Sequence, residues 1–257
     1  NQEGEYVSTD KDNIPYIVKK WYEGRECDTR SEKDIYRGIG SMAELHRVMQ
    51  IPVQIHYVRQ PLTDEFTRHN AQLRKIRKFV STKRKKNDFE LAFLDTIYRF
   101  LGYGEQALKK LETSGYNRLR QESVEQGRVC HGEFNQHNVL MLNEKRGPCS
   151  AAVTNFDKCG FDVQVSDLYQ FMRKILEKHD WNLYLGKAML EAYEETRPLS
   201  KEEKENLKIR FAYPEKYWKL ANYYYTHNKA WISAKNLEKL KRLTDQEEKW
   251  RNFVLSL

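Results

Sequence analysis

The strongest constraint on the fold of this 257-residue chain is a change in hydrophobic period that occurs twice along it. Apolar residues recur at three- and four-residue spacing before residue 128 and after Asp167, which predicts helices on both sides. Between these blocks, residues 128–130, 138–142 and 150–154 have the pattern of short strands, and 143–147 would turn the last two into a hairpin. Two helical blocks around a small strand cluster predict an α+β protein in which helices dominate.

The helices of the first block are predicted from their apolar stripes and their end signals. A helix capped by Ser31 would end near Met49. A short helix would span 105–113 and stop at Gly115. Two further helices would lie between them, with these residues facing inward: Leu73, Ile76, Phe79 and Val80 in one, and Leu91, Leu94, Tyr98 and Leu101 in the other.

The second block predicts helices over 168–178 and 183–193, followed by a long aromatic-rich helical region from Lys201 onward. Pro198 and Pro214 would break it into separate helices. At the other end of the chain, residues 5–8 and 14–21 are predicted to pair as a hairpin, because the turn formers of 9–13 separate them.

One stretch of the chain contains its whole basic surplus. Lysine and arginine number 45, and aspartate and glutamate number 37, so the net charge is +8. Nine basic residues and no acidic residue lie between Arg68 and Lys86. A near-neutral protein with one basic helix differs from a uniformly basic nucleic-acid binder. We interpret the helix as a solvated face, with binding of an acidic partner or nucleic acid as the alternative.

The cysteines and the hydropathy limit the class of protein. The four cysteines are widely spread and form no Cys-x-x-Cys pair, which argues against a zinc site or a disulfide framework and favours a reducing, cytosolic origin. No apolar run approaches the roughly 20 residues that a membrane-spanning helix needs.

Polar residues with a chemical pattern are concentrated in the strand cluster. Glu133 is followed five residues later by Asn138, and Asn155 and Asp157 stand at the end of a strand about twenty residues further on. Phosphoryl transfer needs a carboxylate to orient or deprotonate a hydroxyl, and it needs amide and carboxylate oxygens for Mg²⁺. The alternatives are a solvated loop acid at Glu133 and a hairpin end that satisfies its own backbone at 155–157.

These residues and several longer stretches resemble the aminoglycoside phosphotransferase and choline kinase group of the protein-kinase-like fold. That group has His-Gly-Asp-x-x-x-x-Asn followed by a strand that ends in Ile-Asp-Phe or Ile-Asp-Trp. More narrowly, the chain resembles the bacterial spore coat protein CotS family. Besides the loop at 131–138, the stretches that carry this resemblance are 16–28, 154–158, 167–174 and 213–225.

The resemblance implies a fold and a division into lobes. It implies that residues 1–24 are the remnant of a small N-terminal lobe with the hinge. It also implies that residues 25–257 are a mainly helical large lobe with a catalytic-loop region at 128–158. The hinge residues that would meet ATP are Lys20, Trp21, Tyr22 and Glu23.

The resemblance also assigns roles to residues of the strand cluster. Glu133 takes the place of the catalytic carboxylate, and Asn138, Asn155 and Asp157 take the place of the Mg²⁺ ligands. Asp167 matches a buried carboxylate that braces the loop, with His131 as a loop brace. A metal pair of His131 and His137 is disfavoured, because no third ligand stands at a useful spacing.

Three departures from the family pattern bear on activity. Glu133 stands where the family has Asp, and a shift of about 1 Å in a catalytic group can cost around a hundredfold in rate. Asn155 replaces an ionic ligand with a neutral one, although strand alternation would put Asp157 on the same face. Finally, no glycine-rich loop or strand-borne lysine precedes the hinge. The expectation is therefore that the chain is the C-terminal part of a longer protein and is inactive alone.

Two functions remain open on these residues. The first is an ATP- and Mg²⁺-dependent phosphotransferase of the spore coat, acting on a small hydroxyl- or amine-bearing molecule. The second is a non-catalytic, pseudokinase-like protein that binds other spore coat proteins during assembly. Either protein would be made in the mother-cell cytosol and end in the coat.

Overall fold

The computed structural model describes residues 4, 6–142, 151–226 and 234–257. Across these residues, the strands are β1 (Ser8–Thr9), β2 (Pro15–Tyr16), β3 (Gly24–Glu26), β4 (Val129–Cys130), β5 (Val139–Leu142), β6 (Ala151–Val153) and β7 (Gly160–Phe161). The helices are α1 (Glu32–Val48), α2 (Leu62–Thr82), α3 (Asp88–Thr113), α4 (Tyr116–Glu125), α5 (Val165–Leu176), α6 (Leu183–Glu194), α7 (Lys201–Ala212), α8 (Glu215–Thr226), α9 (Ala234–Asp245) and α10 (Glu247–Ser256), with a 3₁₀ turn at Ile55–Tyr57. The predicted α+β class with dominant helices is confirmed.

Polar side chains fix where several helices begin. The Ser31 hydroxyl accepts the N–H of Asp34 at the start of α1, as predicted. Asn87 and Glu90 form a reciprocal capping box at the start of α3, and Ser200 and Glu203 form another at α7. Each cap satisfies backbone N–H groups that have no partner inside the helix.

Helix α3 corrects two predictions about the first helical block. Residues 88–113 are one continuous helix rather than two. Its buried side follows the aromatic residues Phe89, Phe93 and Phe100, whereas Leu91 and Tyr98 are exposed. The rings of Phe93 and Phe100 stack on Tyr217 of α8, so distant aromatic partners decide which stripe is buried.

The basic stretch is only partly helical. Helix α2 ends at Thr82, and the next residues connect it to α3. Phe79 is exposed rather than inward, which corrects the predicted stripe. Lys83 forms an ion pair with the buried carboxylate of Glu90, so it stabilises the α2–α3 connection. Arg84 and Lys85 are exposed and fit the predicted solvated face.

Two small sheets lie among the helices. Strands β5 and β6 pair antiparallel, which confirms the predicted hairpin, although 143–150 lies outside the described residues. Strand β3 pairs antiparallel with the other edge of β5, and β4 pairs antiparallel with β7. Gly38 of α1 faces the ring of Phe171 in α5, where an added Cβ would come within 3.2 Å. Helix α1 therefore packs closely on α5 beside the sheet.

The N-terminal hairpin forms with shorter strands than predicted. Strand β1 pairs with β2, and within the described residues this two-stranded sheet has no further strand. The side chains of Ile14, Tyr16 and Val18 are 59%, 49% and 89% exposed. The hairpin therefore lies outside the buried core.

None of the described helices combines the length and the apolar character required to span a bilayer. The cysteines Cys27, Cys130 and Cys159 are free, and Cys149 lies outside the described residues.

Candidate active site

The loop at 131–138 is held at both ends by strands. Strand β4 leads into it and pairs with β7, while β5 leads out of it and lies between β3 and β6. The segment that leaves β3 is thereby brought beside the loop, since the Cys27 N–H lies 3.2 Å from the Gln136 carbonyl oxygen and 3.0 Å from that of Val139. His137 Nδ1 lies 2.7 Å from Glu26 Oε2, which joins the loop to the end of β3.

A buried carboxylate anchors the first residues of the loop. Asp167, in the first turn of α5, accepts the N–H of His131 at 2.6 Å and that of Gly132 at 2.8 Å. His46 Nε2 lies 3.2 Å from Asp167 Oδ2, and His46 Nδ1 lies 2.7 Å from the Tyr193 hydroxyl. Burial alone would raise the pKa of Asp167, but the bonds from His46 and the two amides hold it below its ordinary value. Asp167 thus braces the loop as the resemblance implied.

Gly132 is required by the shape of this turn. Its φ is +80°, and a Cβ built on it would lie 2.0 Å from the Lys158 carbonyl oxygen. No side chain can occupy that space without moving the backbone.

His131 fills a structural position in the loop. Its ring is buried, with Nε2 2.9 Å from the Thr154 carbonyl oxygen and Nδ1 accepting the N–H of Glu133 at 3.2 Å. Both nitrogens are therefore used in binding the backbone, which confirms the predicted brace. Within the described chain, no three His, Cys, Asp or Glu residues are grouped so that they could hold a metal ion.

Glu133 is exposed at the tip of the loop and lines a cleft. Its carbonyl oxygen accepts hydrogen bonds from the side-chain amides of Asn135 and Asn138, each at 2.9 Å. These two bonds fix the backbone of Glu133 from the inside and leave its carboxylate on the side of the cleft.

The structure brings Asn138 and Asn155 together. The Asn155 amide donates to Asn138 Oδ1 at 3.4 Å, and the two residues come from β-strand ends that are already joined by a bond from the Thr154 N–H to the Asn138 carbonyl oxygen. Each side chain has one amide oxygen, a hard donor of the kind that Mg²⁺ accepts, and Asn138 Oδ1 already accepts the bond from Asn155.

The expectation that Asn155 and Asp157 share a face through strand alternation is wrong. Strand β6 ends at Val153, and Asn155 has a φ of +65°, so the alternation does not continue beyond it. Asp157 lies in an exposed turn. Asparagine enters this left-handed region more readily than most residues, which fits its presence at this position.

The hinge residues Lys20, Trp21, Tyr22 and Glu23 form an exposed, irregular segment that leads into β3. The Trp21 side chain is 85% exposed, and Lys20 Nζ lies 5.4 Å from the centroid of the Tyr22 ring. Gly24, the first residue of β3, pairs with Leu142. The register between β3 and β5 therefore sets the distance between this segment and the loop.

The cleft has a volume of about 530 Å³ and lies between the loop, α5, the α7–α8 junction, α9 and α10. Six aromatic side chains form part of its wall: Phe100, Trp181, Phe211, Tyr213, Tyr217 and Trp250. Asp180 and Trp181 both have positive φ values, 53° and 54°, although neither is glycine. Such conformations persist only where the surroundings enforce them, and they are concentrated at functional sites.

A buried ionic network forms the floor of the cleft. Arg173 of α5 lies against Glu177 and has its Nε 3.5 Å from Glu215 Oε2, which also accepts the Tyr169 hydroxyl at 2.7 Å. Burial alone would raise the pKa of Glu215, but Arg173 and Lys219 lower it to about 2. Glu215 is thus ionised, and both acidic groups of this floor are already paired with basic side chains.

Sequence reasoning placed the loop residues but not the cleft. Arg173 and Glu215 lie in stretches that carry the resemblance, but the resemblance assigned no role to either residue. Nothing in the local sequence indicates that Trp181 is left-handed and faces the same cleft as Glu133.

Three comparisons with known proteins agree on the relatives of this chain. A family model described as "Spore coat putative kinase YutH" matches residues 2–257. Spore coat protein S of Bacillus subtilis (strain 168) is 26% identical over 168 residues, a match that covers 65% of this chain and 46% of that protein. The match thus spans less than half the length of this curated relative.

Among solved structures, an aminoglycoside phosphotransferase from Alicyclobacillus acidocaldarius subsp. acidocaldarius DSM 446 superimposes with a TM-score of 0.82. The superposition covers 99% of this chain and 78% of that chain at 18% sequence identity. At that identity the likeness shows the fold alone, and the predicted protein-kinase-like fold is confirmed.

Proposed function

The chain belongs to the YutH family of spore coat proteins, and from that premise we propose that its whole protein transfers a phosphoryl group from ATP to a small molecule with a hydroxyl or an amine. The observation that carries this proposal is the loop anchored by Asp167, which holds Glu133 at the edge of a cleft large enough for a small acceptor. Phosphoryl transfer depends mainly on such positioning.

The proposed roles follow the resemblance to kinase-like phosphotransferases. Glu133 orients the acceptor group and takes its proton. Asn138 and Asn155 offer amide oxygens to the Mg²⁺ that accompanies ATP, and Asp157 adds a negative charge nearby. The segment 20–23 meets the adenine. The amide pair suits a Mg²⁺ that keeps most of its ligands as phosphate oxygens and water, because Mg²⁺ needs few protein ligands in that case.

The test is an assay of Mg²⁺-dependent ATP binding and phosphotransfer by the complete protein, with Glu133→Gln beside it. Since an orienting carboxylate acts mainly on the transition state, turnover should fall by about a hundredfold while nucleotide affinity stays nearly unchanged. Glu112→Gln, an exposed change at the end of α3 and away from the cleft, is the matched control. Equal turnover in both variants would remove Glu133 from the mechanism. Higher turnover in Glu133→Asp would indicate that the native Glu is a detuned base.

A second candidate is a non-catalytic protein that binds other spore coat proteins. Two observations favour it. The neutral Asn155 occupies the metal-binding position, and the connection between α1 and α2 exposes a run of apolar side chains, namely Val48, Ile51, Val53, Ile55 and Tyr57. Apolar groups exposed together are typical of interaction surfaces. The same assay separates the candidates, because this one predicts that the complete protein binds no ATP with Mg²⁺.

A further inference from the structure

The cleft beside Glu133 is lined by more basic than acidic residues. Six basic side chains border it: Arg173, Lys174, Lys178, Lys216, Lys239 and Arg242. Three acidic side chains do so: Glu133, Glu177 and Glu215. The lining therefore has a surplus of three positive charges, which would repel a polycationic molecule.

The acidic charge is also largely neutralised within the protein. Glu215 is paired with Arg173 and Lys219, and Glu177 is paired with Arg173 and Lys216. Among the described residues, Glu133 has no ion-pair partner, so it is the acidic group left to face a ligand. In the proposed reaction that carboxylate is engaged by the reacting hydroxyl, which leaves no acid to bind a cationic group.

Lys174 is the basic side chain best placed to meet a ligand. It is half-buried on α5, one residue beyond Arg173, and it forms no hydrogen bond or ion pair with any described residue. Burial and the neighbouring charges of Arg173 and Lys219 lower its pKa, while the charge of Glu133 opposes that shift. A cation in such surroundings gains stability when an anion binds next to it.

The cleft lining also includes two tryptophans, Trp181 and Trp250, each 8% exposed. Trp181 and Trp250 lie 6.4 Å apart between ring centroids, and the Trp250 indole N–H is already bonded to the Phe211 carbonyl oxygen at 2.7 Å. With that polar edge satisfied, Trp250 presents ring surface rather than a donor. The left-handed backbone at Asp180 and Trp181 holds the second ring in place.

We propose that the cleft accepts a molecule that has a carboxylate or phosphate group beside Lys174, and an aromatic or other planar apolar part against Trp181 and Trp250. This inference rests on the proposed function, because it takes the cleft to be the acceptor site. It gives the acceptor a class: a hydroxyl-bearing anion rather than a polyamine sugar. The same anion chemistry could be supplied by the phosphates of ATP, so the test is made without nucleotide.

The experiment uses three phenols that share a 4-hydroxyphenyl ring and a two-carbon side chain, and that differ in the terminal group of that chain and hence in charge. They are 4-hydroxyphenylacetate, which is an anion, tyrosol, which is neutral, and tyramine, which is a cation. Their dissociation constants for the unmodified full chain are measured by NMR titration at pH 7 and low salt, without ATP or Mg²⁺. We expect the anion to bind about tenfold more tightly than the cation, and the preference to shrink as added salt screens the charges.

Lys174→Met keeps the apolar stem and removes the charge. The ratio of the affinity for the anion to the affinity for the cation should therefore fall to about threefold or less. Lys75→Met, an exposed change on α2 away from the cleft, should leave the ratio unchanged. The ratio and salt dependence of the unmodified chain stand even if Lys174→Met fails to fold. The inference would be overturned if the three phenols bound with equal affinity or if none of them bound. It would also be overturned if Lys174→Met left the ratio of affinities intact while weakening ATP binding.

The outcome is separable from that of the proposed function. Because the titration contains no nucleotide, a protein without kinase activity can still show the charge preference, and the acceptor inference then stands as a ligand site. Conversely, a complete protein that phosphorylates tyramine in preference to 4-hydroxyphenylacetate would support phosphotransfer and overturn the inference.

Discussion

The loop at 131–138 and the N-terminal segment at 6–23 flank the same strand, β3, yet they are held in very different ways. Buried side chains from α1, α5 and α6 reach the loop through His46, Asp167 and Tyr193. The N-terminal segment is exposed almost throughout, and its regular structure in the described residues is one ladder of two short strands. The difference teaches that this chain preorganises the loop through buried hydrogen bonds, while the described part of the N-terminal segment has no comparable buried support.

Removing the Asp167 carboxylate, which holds the loop, should have the largest effect on stability. Asp167→Ala leaves the buried amides of His131 and Gly132 without an acceptor, and we expect the free energy of unfolding to fall by about 3 kcal/mol or more. Urea denaturation measures the loss. A change below about 1 kcal/mol would contradict the role given to Asp167.

The same carboxylate fixes the sign of a pH effect in the unmodified chain. Because the pKa of Asp167 is lowered on folding, its contribution is present above the ordinary pKa near 3.8 and is lost as the pH falls through the lower folded value. Stability should therefore decline less steeply below about pH 4 in Asp167→Asn than in the unmodified chain.

Alanine substitutions at two glycines, one in the loop and one in α1, should give the next largest effects on stability, with opposite signs. Gly132→Ala forces a side chain into a left-handed turn and against the Lys158 carbonyl oxygen, so it should destabilise the fold by about 2 kcal/mol. Gly40→Ala in α1 meets no atom within 4 Å and should stabilise the helix by about 0.5–1 kcal/mol. Thermal unfolding of both variants, compared at one temperature, checks the opposite signs. Equal effects would mean that the loop yields more easily than its contacts indicate.

The smallest effect is expected in the exposed segment. Val18→Ser should change the free energy of unfolding by no more than about 0.5 kcal/mol, because the side chain is 89% exposed. Val139→Ser removes a fully buried valine of β5 and should cost about 2 kcal/mol. A large loss in Val18→Ser would show that the hairpin is packed against something, and the contrast between the two regions would fail.

Local sequence signals predicted where helices and strands lie better than they predicted which side of each element is buried. Short-range chemistry, which does not depend on distant parts of the chain, determines the features that were predicted correctly. These are the Ser31 cap, the β5–β6 hairpin and the helix breaks at Pro198 and Pro214. The buried stripe of α3 was partly misjudged. Leu101 is buried as predicted, but Tyr217 of α8, more than a hundred residues away, selects Phe93 and Phe100 over Leu91 and Tyr98.

For the candidate site, residue types, spacing and the resemblance marked Glu133, Asn138 and Asn155 as candidates, and the structure brings the last two together. The left-handed φ of Asn155 and of Trp181 was not predictable, since it results from how the surrounding chain closes around each residue. The basic surplus of the cleft was hidden for a related reason. Its basic side chains come from α5, from just beyond the end of α5, and from α8 and α9, which no single stretch of sequence joins.

The contacts around Asp167 also have a consequence for how the chain folds. They join His131 to a carboxylate 36 positions away, and they join His46 to partners 121 and 147 positions away. Closing such long loops is entropically costly, so contacts between distant segments form slowly compared with the helices themselves. The loop that holds Glu133 should therefore reach its final shape among the last events of folding. A chain newly made, or partly unfolded, would have its helices before this loop was closed, and the bonds from His131 and Gly132 to Asp167 would report that folding is complete.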